Sequence, residues 1–199
     1  MTSIGTGYDL STSVFSPDGR IFQVDYAQKA VEASGTAVAI RGKDGVVFAV
    51  EKIITSKLYE KDTNRRIFNV DGHIGMAGAG LYADVRQLAD IAMTEAANYK
   101  SEYGSNIPVR HLTDRVANYV HAYTLYSALR PFGTTIMMGT YTEEEGPELF
   151  CIENSGLYYR YWGCAVSFSY FFFKYEACVQ VTSRKIVVSN RKIVTYLYD

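Results

Sequence analysis

One glycine-rich stretch of this chain resembles a nucleotide-binding motif. The residues Gly78-Ala79-Gly80-Leu81-Tyr82-Ala83 match the dinucleotide pattern GxGxxA. That pattern works within a strand-helix-strand unit that carries an acidic residue after its second strand. Here the helical pattern that follows is succeeded by a second helical pattern. We therefore interpret the glycines as a tight turn from a strand into a helix, and predict no cofactor.

The other chemically capable side chains do not form a recognisable motif. The three histidines lack the close spacing of metal ligands, so we interpret them as surface or partly buried side chains and predict no metal: His73, His111 and His121. The three cysteines stand singly, which fits buried thiols in a reducing compartment: Cys151, Cys164 and Cys178. Neither a GxSxG sequence nor a phosphate-binding P-loop is present in the sequence.

The composition is that of one globular domain. The chain has 199 residues, of which 48% are hydrophobic and 21% are charged, and its formal net charge is −1. This charge gives no reason to expect binding to nucleic acid or to an anionic membrane. The sequence has no apolar run long enough to span a bilayer, and its N-terminus does not resemble a signal peptide. We expect a protein of the cytoplasm and nucleus.

The N-terminal part combines a polar arm, a turn and a helix. Ser16-Pro17-Asp18-Gly19 is typical of a turn, because proline fixes φ and glycine relaxes the backbone sterics. From Arg20 onward, apolar residues recur at helical spacing beside a polar face. We predict an arm over residues 1–17 and an amphipathic helix within residues 18–33.

The order of the remaining elements predicts an α+β fold. Two β-hairpins come first, over residues 36–50 and 67–79, each with an Asp-Gly turn. Two helices follow, one from Leu81 to Gly104 and one from Pro108 that ends before Pro131, with a stripe that extends to Tyr126. Strands are then predicted over residues 134–141, 148–153 and 157–162, the first two separated by an exposed acidic loop.

The N-terminal sequence resembles the signature of a known family. GYDLS, followed by FSPDGRxFQVDYA, closely resembles the N-terminal signature of the alpha-type subunits of the 20S proteasome. The resemblance continues in Gly80-Leu81-x-x-Asp84-x-Arg86 and in Arg130-Pro131-Phe132-Gly133. It implies an N-terminal nucleophile hydrolase-like fold, a four-layer αββα sandwich of antiparallel sheets. It also implies a non-catalytic, structural subunit of the outer ring.

The resemblance implies partners and functional residues as well. Its partners would be other alpha-type subunits, beta-type subunits and regulatory activators. In the family, the segment before the turn belongs to a gate over the axial pore. The gate-supporting residues would be Tyr8, Asp9, Pro17 and Tyr26. Arg66 stands where the family commonly has a lysine in the activator-binding pocket, although an exposed charge beside Arg65 is an equally good interpretation.

Catalysis is the main alternative, because the same fold supports threonine proteases. Their nucleophile is an N-terminal threonine whose own α-amine acts as the base. Alignment with active beta-type subunits places Gly35 at the nucleophile position and Thr36 one residue later. Glu51 and Arg66 fall where the active subunits carry an aspartate and a lysine. Since Gly35 has no hydroxyl, we predict that the chain is not an enzyme.

The family resemblance covers residues 1–166 and not residues 167–199. The later segment has a run of aromatic residues and clusters of β-branched residues instead of the expected helices. It would leave the C-terminal helical layer incomplete. Two interpretations stay open, an altered transcript or gene model and a divergent C-terminus that still forms strands. A truncated form that fails to assemble is accordingly an alternative to the structural role.

Overall fold

A computed structural model describes residues 7–52, 54, 56–60 and 63–166, and the backbone alone of residues 185–186 and 193–198. The described helices are α1 Phe22–Glu32, α2 Tyr82–Tyr103 and α3 Val109–Ala122. The early strands form two hairpins: β1 Ala37–Arg41, β2 Val46–Glu51, β3 Ile67–Asp71 and β4 Ile74–Gly80. The later strands are β5 Thr134–Thr142, β6 Gly146–Ile152, β7 Tyr158–Arg160, β8 Gly163–Val166, β9 Lys185–Ile186 and β10 Ile193–Tyr198.

The strands form two five-stranded sheets. The first sheet has the order β8-β1-β2-β10-β9, and the second has the order β3-β4-β5-β6-β7. Both predicted hairpins are confirmed as antiparallel pairs, with Ala39 opposite Phe48 in one and Phe68 opposite Met76 in the other. One pairing departs from the prediction of purely antiparallel sheets, since β10 runs parallel to β2. A long connection between two strands permits parallel pairing, whereas a tight hairpin does not.

The second sheet is buried on both faces. Its outer face packs against α2 and α3, whose inward side chains include Leu88 and Leu112. Its inner face packs against the first sheet, where Phe48 and Met137 belong to one core cluster. All seven residues of β4 are therefore buried. In the neighbouring strand β5, a glycine lets the two sheets approach closely, since a Cβ on Gly139 would lie 2.8 Å from a carbon atom of the Phe48 ring.

The described residues confirm the two sheets and one helical layer of the predicted sandwich. The predicted helix pair is confirmed, since α2 ends at Gly104 in the left-handed conformation and α3 begins directly after Pro108. Among the described residues, no helix covers the outer face of the first sheet, where Ile40 is exposed. The incomplete fourth layer was predicted over residues 167–199, of which the structure describes only the backbone of residues 185–186 and 193–198. None of the helices described is long and apolar enough to cross a membrane.

Two sequence-based boundaries were wrong. The strand predicted over residues 157–162 corresponds to β7, which ends earlier, at Arg160. The chain then crosses at Tyr161 and Trp162 to the first sheet, where β8 begins at Gly163. The predicted stripe of α3 extends too far, since the helix ends at Ala122. After it, the Thr124 hydroxyl and backbone N–H both donate to the His121 carbonyl, which replaces helical pairing with a turn. Tyr126 therefore lies beyond the helix and is exposed.

The β4–α2 turn and the segment that leads from α3 into β5 meet at one end of the sandwich. Gly80 ends β4 with a φ of 117°, and a Cβ there would lie 2.1 Å from the Gly133 carbonyl oxygen. Asp84, in the first turn of α2, accepts hydrogen bonds from both terminal nitrogens of Arg130, at 2.7 and 2.9 Å. It also accepts one from the Gly133 backbone N–H at 2.9 Å. We call Gly80, Asp84, Arg130 and Gly133 the junction.

The junction sets the protonation of its carboxylate. Burial would by itself raise the pKa of Asp84, but hydrogen bonds from Arg130 and Gly133 outweigh it and hold the pKa below its usual value. Only 6% of the Asp84 side chain is exposed, whereas 63% of the Arg130 side chain is exposed. Solvent therefore screens the ion pair, and the buried Gly133 N–H is the partner most dependent on Asp84.

Substitution of Gly80 tests the steric constraint at the junction. We expect Gly80→Ala to destabilise the chain by more than about 3 kcal/mol, because it combines a positive φ with overlap of a backbone oxygen. Gly104→Ala, which has a positive φ of 68° but no atom within 4 Å, should cost about 1 kcal/mol. Gly72→Ala, with neither feature, should change stability by less than about 0.5 kcal/mol. Urea denaturation of the purified chain measures the series, and equal losses at all three positions would contradict the assignment.

Substitution of Asp84 tests the polar part of the junction. Asp84→Ala should destabilise the chain by about 2 kcal/mol, because it leaves the Gly133 N–H buried without an acceptor. Because the folded pKa is below the unfolded one, the contribution is complete above the unfolded pKa, near 4, and decreases as the pH falls through the folded pKa. Thermal unfolding between pH 2.5 and pH 7 measures this difference. The matched control is Glu95→Gln, which removes an exposed pair with Arg115 and should cost less than about 1 kcal/mol at any pH.

Candidate functional site

The predicted turn before α1 is confirmed and reverses the chain toward the helix. The Gly19 backbone N–H donates to the Ser16 carbonyl at 2.9 Å, and Gly19 has a φ of 75°. The buried Ser16 hydroxyl accepts a hydrogen bond from the Arg20 N–H at 3.0 Å, and the Ser16 N–H donates to the Arg20 carbonyl at 2.9 Å. Ser16 and Arg20 are therefore bonded to each other across the turn. Arg20 then pairs with Asp25 at 2.8 Å on the first turn of α1. These contacts fix how the arm enters the helix.

Two of the predicted gate-supporting residues meet on the surface of α1. The Tyr26 hydroxyl donates to the Asp9 carboxylate at 3.4 Å, and the Gln23 side-chain amide donates to the Asp9 carbonyl. The ring of Tyr26 stacks on Phe22 with centroids 6.2 Å apart. Burial raises the pKa of the Tyr26 phenol, and the Asp9 charge adds to this effect. A tyrosine phenol is protonated at neutral pH even without this shift, so Tyr26 is able to donate to Asp9.

The other two predicted residues lie along the same segment but are exposed. Tyr8 is 43% exposed, and Pro17 lies at the exposed tip of the turn. Their side chains therefore face solvent in the single chain. The supporting role assigned to all four residues stays a prediction, which the single chain does not test.

Sequence reasoning missed two contacts that attach the arm and the helix to the sandwich. The Thr12 hydroxyl, which is almost fully buried, donates to the Tyr126 carbonyl at 2.8 Å in the turn after α3. The Asn154 side-chain amide donates to the Val24 carbonyl at 2.9 Å and so joins α1 to the β6–β7 turn. Asn154 has a turn signature in the sequence, but nothing in that signature indicates a partner far away in the chain.

The position that corresponds to a catalytic threonine has no nucleophile. Gly35 precedes β1, and its absent side chain would lie 3.4 Å from the Glu51 carboxylate. That carboxylate accepts a hydrogen bond from the Thr36 backbone N–H at 2.8 Å. The nitrogen concerned is a peptide nitrogen and not a free amine, so it cannot act as a base. The site therefore has a carboxylate, that of Glu51, but lacks the hydroxyl and the free amine on one residue that a threonine nucleophile requires.

Arg66 lies against the first residue of α2. Its guanidinium carbon is 5.7 Å from the centre of the Tyr82 ring, within the range of a cation–π contact. Its Nε is buried and makes no hydrogen bond within the part of the chain that the structure describes. Arg66 is thus half-buried beside an aromatic ring, which differs from the freely exposed charge considered as one interpretation. The pocket role stays a prediction.

The glycines of the nucleotide-like stretch have a packing role. A Cβ on Gly78 would lie 2.6 Å from a methyl carbon of Val85, and Gly80 lies against Gly133. The helix α2 leads into α3 and not into a parallel strand, so the dinucleotide unit is not formed. Within the described residues, no three His, Cys, Asp or Glu side chains are grouped so as to hold a metal ion. His73 instead shares a hydrogen bond with the Ile107 carbonyl at 2.8 Å.

Comparison with known proteins agrees with the fold and the arm. A family model described as "Proteasome subunit" matches residues 31–179. A second model, which describes the N-terminal signature of the A-type proteasome subunits, matches residues 8–30. The first match continues past the domain boundary predicted at residue 166. That boundary stays a prediction, since residues 167–184 lie outside the described part of the chain.

Several individual proteins are also similar to this chain over most of its length. The alpha type-3 proteasome subunit of Drosophila melanogaster is 62% identical over 165 residues, which are 83% of this chain and 65% of the relative. The matched part therefore spans just under two thirds of the fly protein. The subunit of the same name from Spinacia oleracea is 50% identical over 203 residues, covering 100% of this chain and 81% of the relative. A probable alpha type-7 proteasome subunit of Saccharomyces cerevisiae is 52% identical over 165 residues, covering 83% of this chain and 57% of the relative.

These matches confirm the family predicted from the sequence, and the opening Gly5-Thr6-Gly7-Tyr8-Asp9-Leu10 agrees with the similarity to alpha type-3. The two-sheet sandwich agrees with the predicted N-terminal nucleophile hydrolase-like fold. Because the family model covers most of the chain and the N-terminal signature precedes it directly, this chain belongs to the proteasome subunit family, in its alpha-type branch.

Proposed function

We propose that this chain is a non-catalytic structural subunit of the outer ring of the 20S core proteasome. Its role would be in ubiquitin-dependent and ubiquitin-independent protein degradation. The observation that carries the proposal is the N-terminal arm and helix, which match the alpha-type signature over residues 8–30. This segment is attached to the sandwich through Thr12 and Asn154 and therefore precedes Gly35 as a folded extension.

The absence of a hydroxyl at Gly35 supports a structural role. The alternative of a threonine-type hydrolase would need a free amine and a hydroxyl on one residue. Thr36 has a hydroxyl, but its nitrogen is a peptide N–H bound to Glu51. Bond cleavage would accordingly be carried out by beta-type subunits, and this chain would act on assembly and substrate entry.

Gating by residues 2–17 is the second part of the proposal. The contact between Asp9 and Tyr26 is long, at 3.4 Å, and Tyr26 is 39% exposed. A contact of this kind is weak in one chain and can be replaced by contacts with neighbouring subunits. A short polar arm held by few contacts suits a segment that switches between ordered and displaced states.

The proposed partners follow from the ring. They are other alpha-type subunits, beta-type subunits, and regulatory particles whose C-termini would reach the Arg66 region. The half-buried guanidinium of Arg66, with an unpaired Nε among the described residues, supports an acceptor such as a carboxylate from another chain. We also propose that the chain acts in the cytoplasm and the nucleus. The alternative of a truncated form that fails to assemble is tested by the same experiment.

Removal of the arm tests the proposal. An affinity-tagged chain lacking residues 2–17, expressed in eukaryotic cells, should co-purify with alpha-type and beta-type subunits. The purified particles should hydrolyse a small fluorogenic peptide severalfold faster than particles with the full chain, because the arm no longer obstructs entry. Asp9→Ala should give a smaller increase in the same direction, since it removes one contact and leaves the arm in place.

The matched control is Glu143→Gln, which lies in the exposed β5–β6 loop at the other end of the sandwich from α1. It should leave the rate of peptide hydrolysis unchanged. Unchanged hydrolysis by assembled particles that lack the arm would contradict gating. A tagged chain that recovers no other subunit would contradict the structural role and favour the truncated form.

A further inference from the structure

Cys151 and Cys164 lie on opposite sheets and belong to the same core. Along β6, Leu149 and Cys151 pack in the cluster between the sheets, whereas Phe150 and Ile152 pack against the helices. Cys164, on β8, packs against the cluster between the sheets. Because side chains alternate along a strand, both thiols point toward the interior of the sandwich, one from each sheet.

The crossover of the chain limits the separation of the two cysteines. Cys151 is opposite Tyr159 in the β6–β7 pair, and the chain reaches the other sheet at Gly163. In the first sheet, Cys164 is opposite Ala39, which is fully buried in the same cluster. The two sheets are therefore joined beside the cysteines by the short segment of Tyr161 and Trp162.

The two thiols differ in their access to solvent. Cys151 is 7% exposed, whereas Cys164 is half-buried on a strand at the edge of its sheet. The side-chain hydrogen bond shared with Cys164, followed by burial, raises the pKa of Cys151 well above its usual value. Cys151 is therefore protonated at neutral pH, and Cys164 is the thiol that a dissolved oxidant reaches first.

We propose that Cys151 and Cys164 form an oxidisable pair that a hydroperoxide converts into a disulfide between the two sheets. With hydrogen peroxide as the oxidant, the Cys164 thiol loses its proton and the thiolate attacks one peroxide oxygen. The O–O bond breaks, and the departing hydroxide takes up the proton that Cys164 released to give water. The Cys151 sulfur then attacks the sulfenic acid on Cys164, and the S–O bond breaks. The leaving hydroxide takes the Cys151 proton as a second water. Two thiols are oxidised, and one peroxide is reduced.

The disulfide would fix β8 to the second sheet. In the reduced chain, β8 is attached through its ladder with β1 and its packing on the core. A covalent bond from Cys164 to β6 adds an attachment that does not depend on the ladder. The proposal does not require the proposed ring function, since it concerns the interior of one chain.

Peptide mapping of the purified chain tests the pair directly, because trypsin separates the three cysteines. Cleavage after Arg160 divides Cys151 from Cys164, and cleavage after Lys174 divides Cys164 from Cys178. The folded chain is treated with hydrogen peroxide, the free thiols are blocked with N-ethylmaleimide, and the digest is analysed by mass spectrometry without reduction. We expect the peptides of Cys151 and Cys164 to be joined, and the Cys178 peptide to carry the blocking group.

The same oxidation in guanidinium chloride is the control for chain proximity. Cys164 is almost equally far from Cys151 and from Cys178 in sequence, so an unfolded chain should form both disulfides to a similar extent. In the folded chain, the Cys151–Cys164 disulfide should exceed the other severalfold, and this preference should be unchanged in Cys178→Ser. A folded chain that forms mainly the Cys164–Cys178 disulfide, or only sulfinic acid on Cys164, would overturn the proposal. Cys151→Ala should leave Cys164 as a sulfenic or sulfinic acid. An intramolecular disulfide between Cys164 and Cys178 in that variant would also overturn the proposal.

Discussion

The Asp84 carboxylate joins the two ends of the helix pair to one point of the sandwich. Through Arg130 and the Gly133 N–H, it holds the start of α2 against the segment that leads from α3 into β5. Gly80 allows the backbone of β4 to approach Gly133 with no room for a side chain. The position of both helices relative to the second sheet depends on this junction, because β4 and β5 are neighbouring strands inside that sheet.

The same end of the sandwich receives the N-terminal helix. A Cβ added to Gly133 would lie 3.6 Å from the Cβ of Ala30, so α1 rests almost directly on the junction. The arm is then attached further along by Thr12 and by the contact between Asp9 and Tyr26. Gly35 follows the C-cap of α1, Ala33, by two residues, and with Glu51 it borders the paired ends of β1 and β2. The N-terminal extension therefore continues through a peptide bond into Thr36, whose nitrogen is not the free amine that threonine chemistry requires.

Much of the fold could be predicted from local sequence signals. The Asp-Gly turns, Gly104 and Pro108 each act through the backbone conformation of one or two residues, and the structure confirms the elements they delimit. The early end of β7 at Arg160 and the crossing to the first sheet could not be predicted, because strand propensity does not state which sheet a residue joins. The early end of α3 was missed since the Thr124 hydroxyl competes for a helical carbonyl, an effect that the apolar spacing does not contain.

The candidate site residues also divide into those that a local sequence pattern indicates and those that it does not. Asp9 and Tyr26 were found through resemblance to a family signature, and the structure brings them together. Thr12 and Asn154 were not found, because each bonds a backbone carbonyl that is remote in sequence and carries no side-chain signal. The pocket role of Arg66 stays a prediction, and its contact with Tyr82 could not be predicted because it depends on how the loop meets α2. Long-range contacts of single polar side chains are the part that local patterns do not encode.

We propose that this chain forms part of a ring, and native sedimentation shows whether it does. The full chain, tagged and expressed in eukaryotic cells, would be separated on a gradient and detected alongside a beta-type subunit. If the chain is a ring subunit, both should migrate together in particles of proteasome size. Recovery of the chain only as monomer or as aggregate, with the beta-type subunit still in large particles, would contradict it.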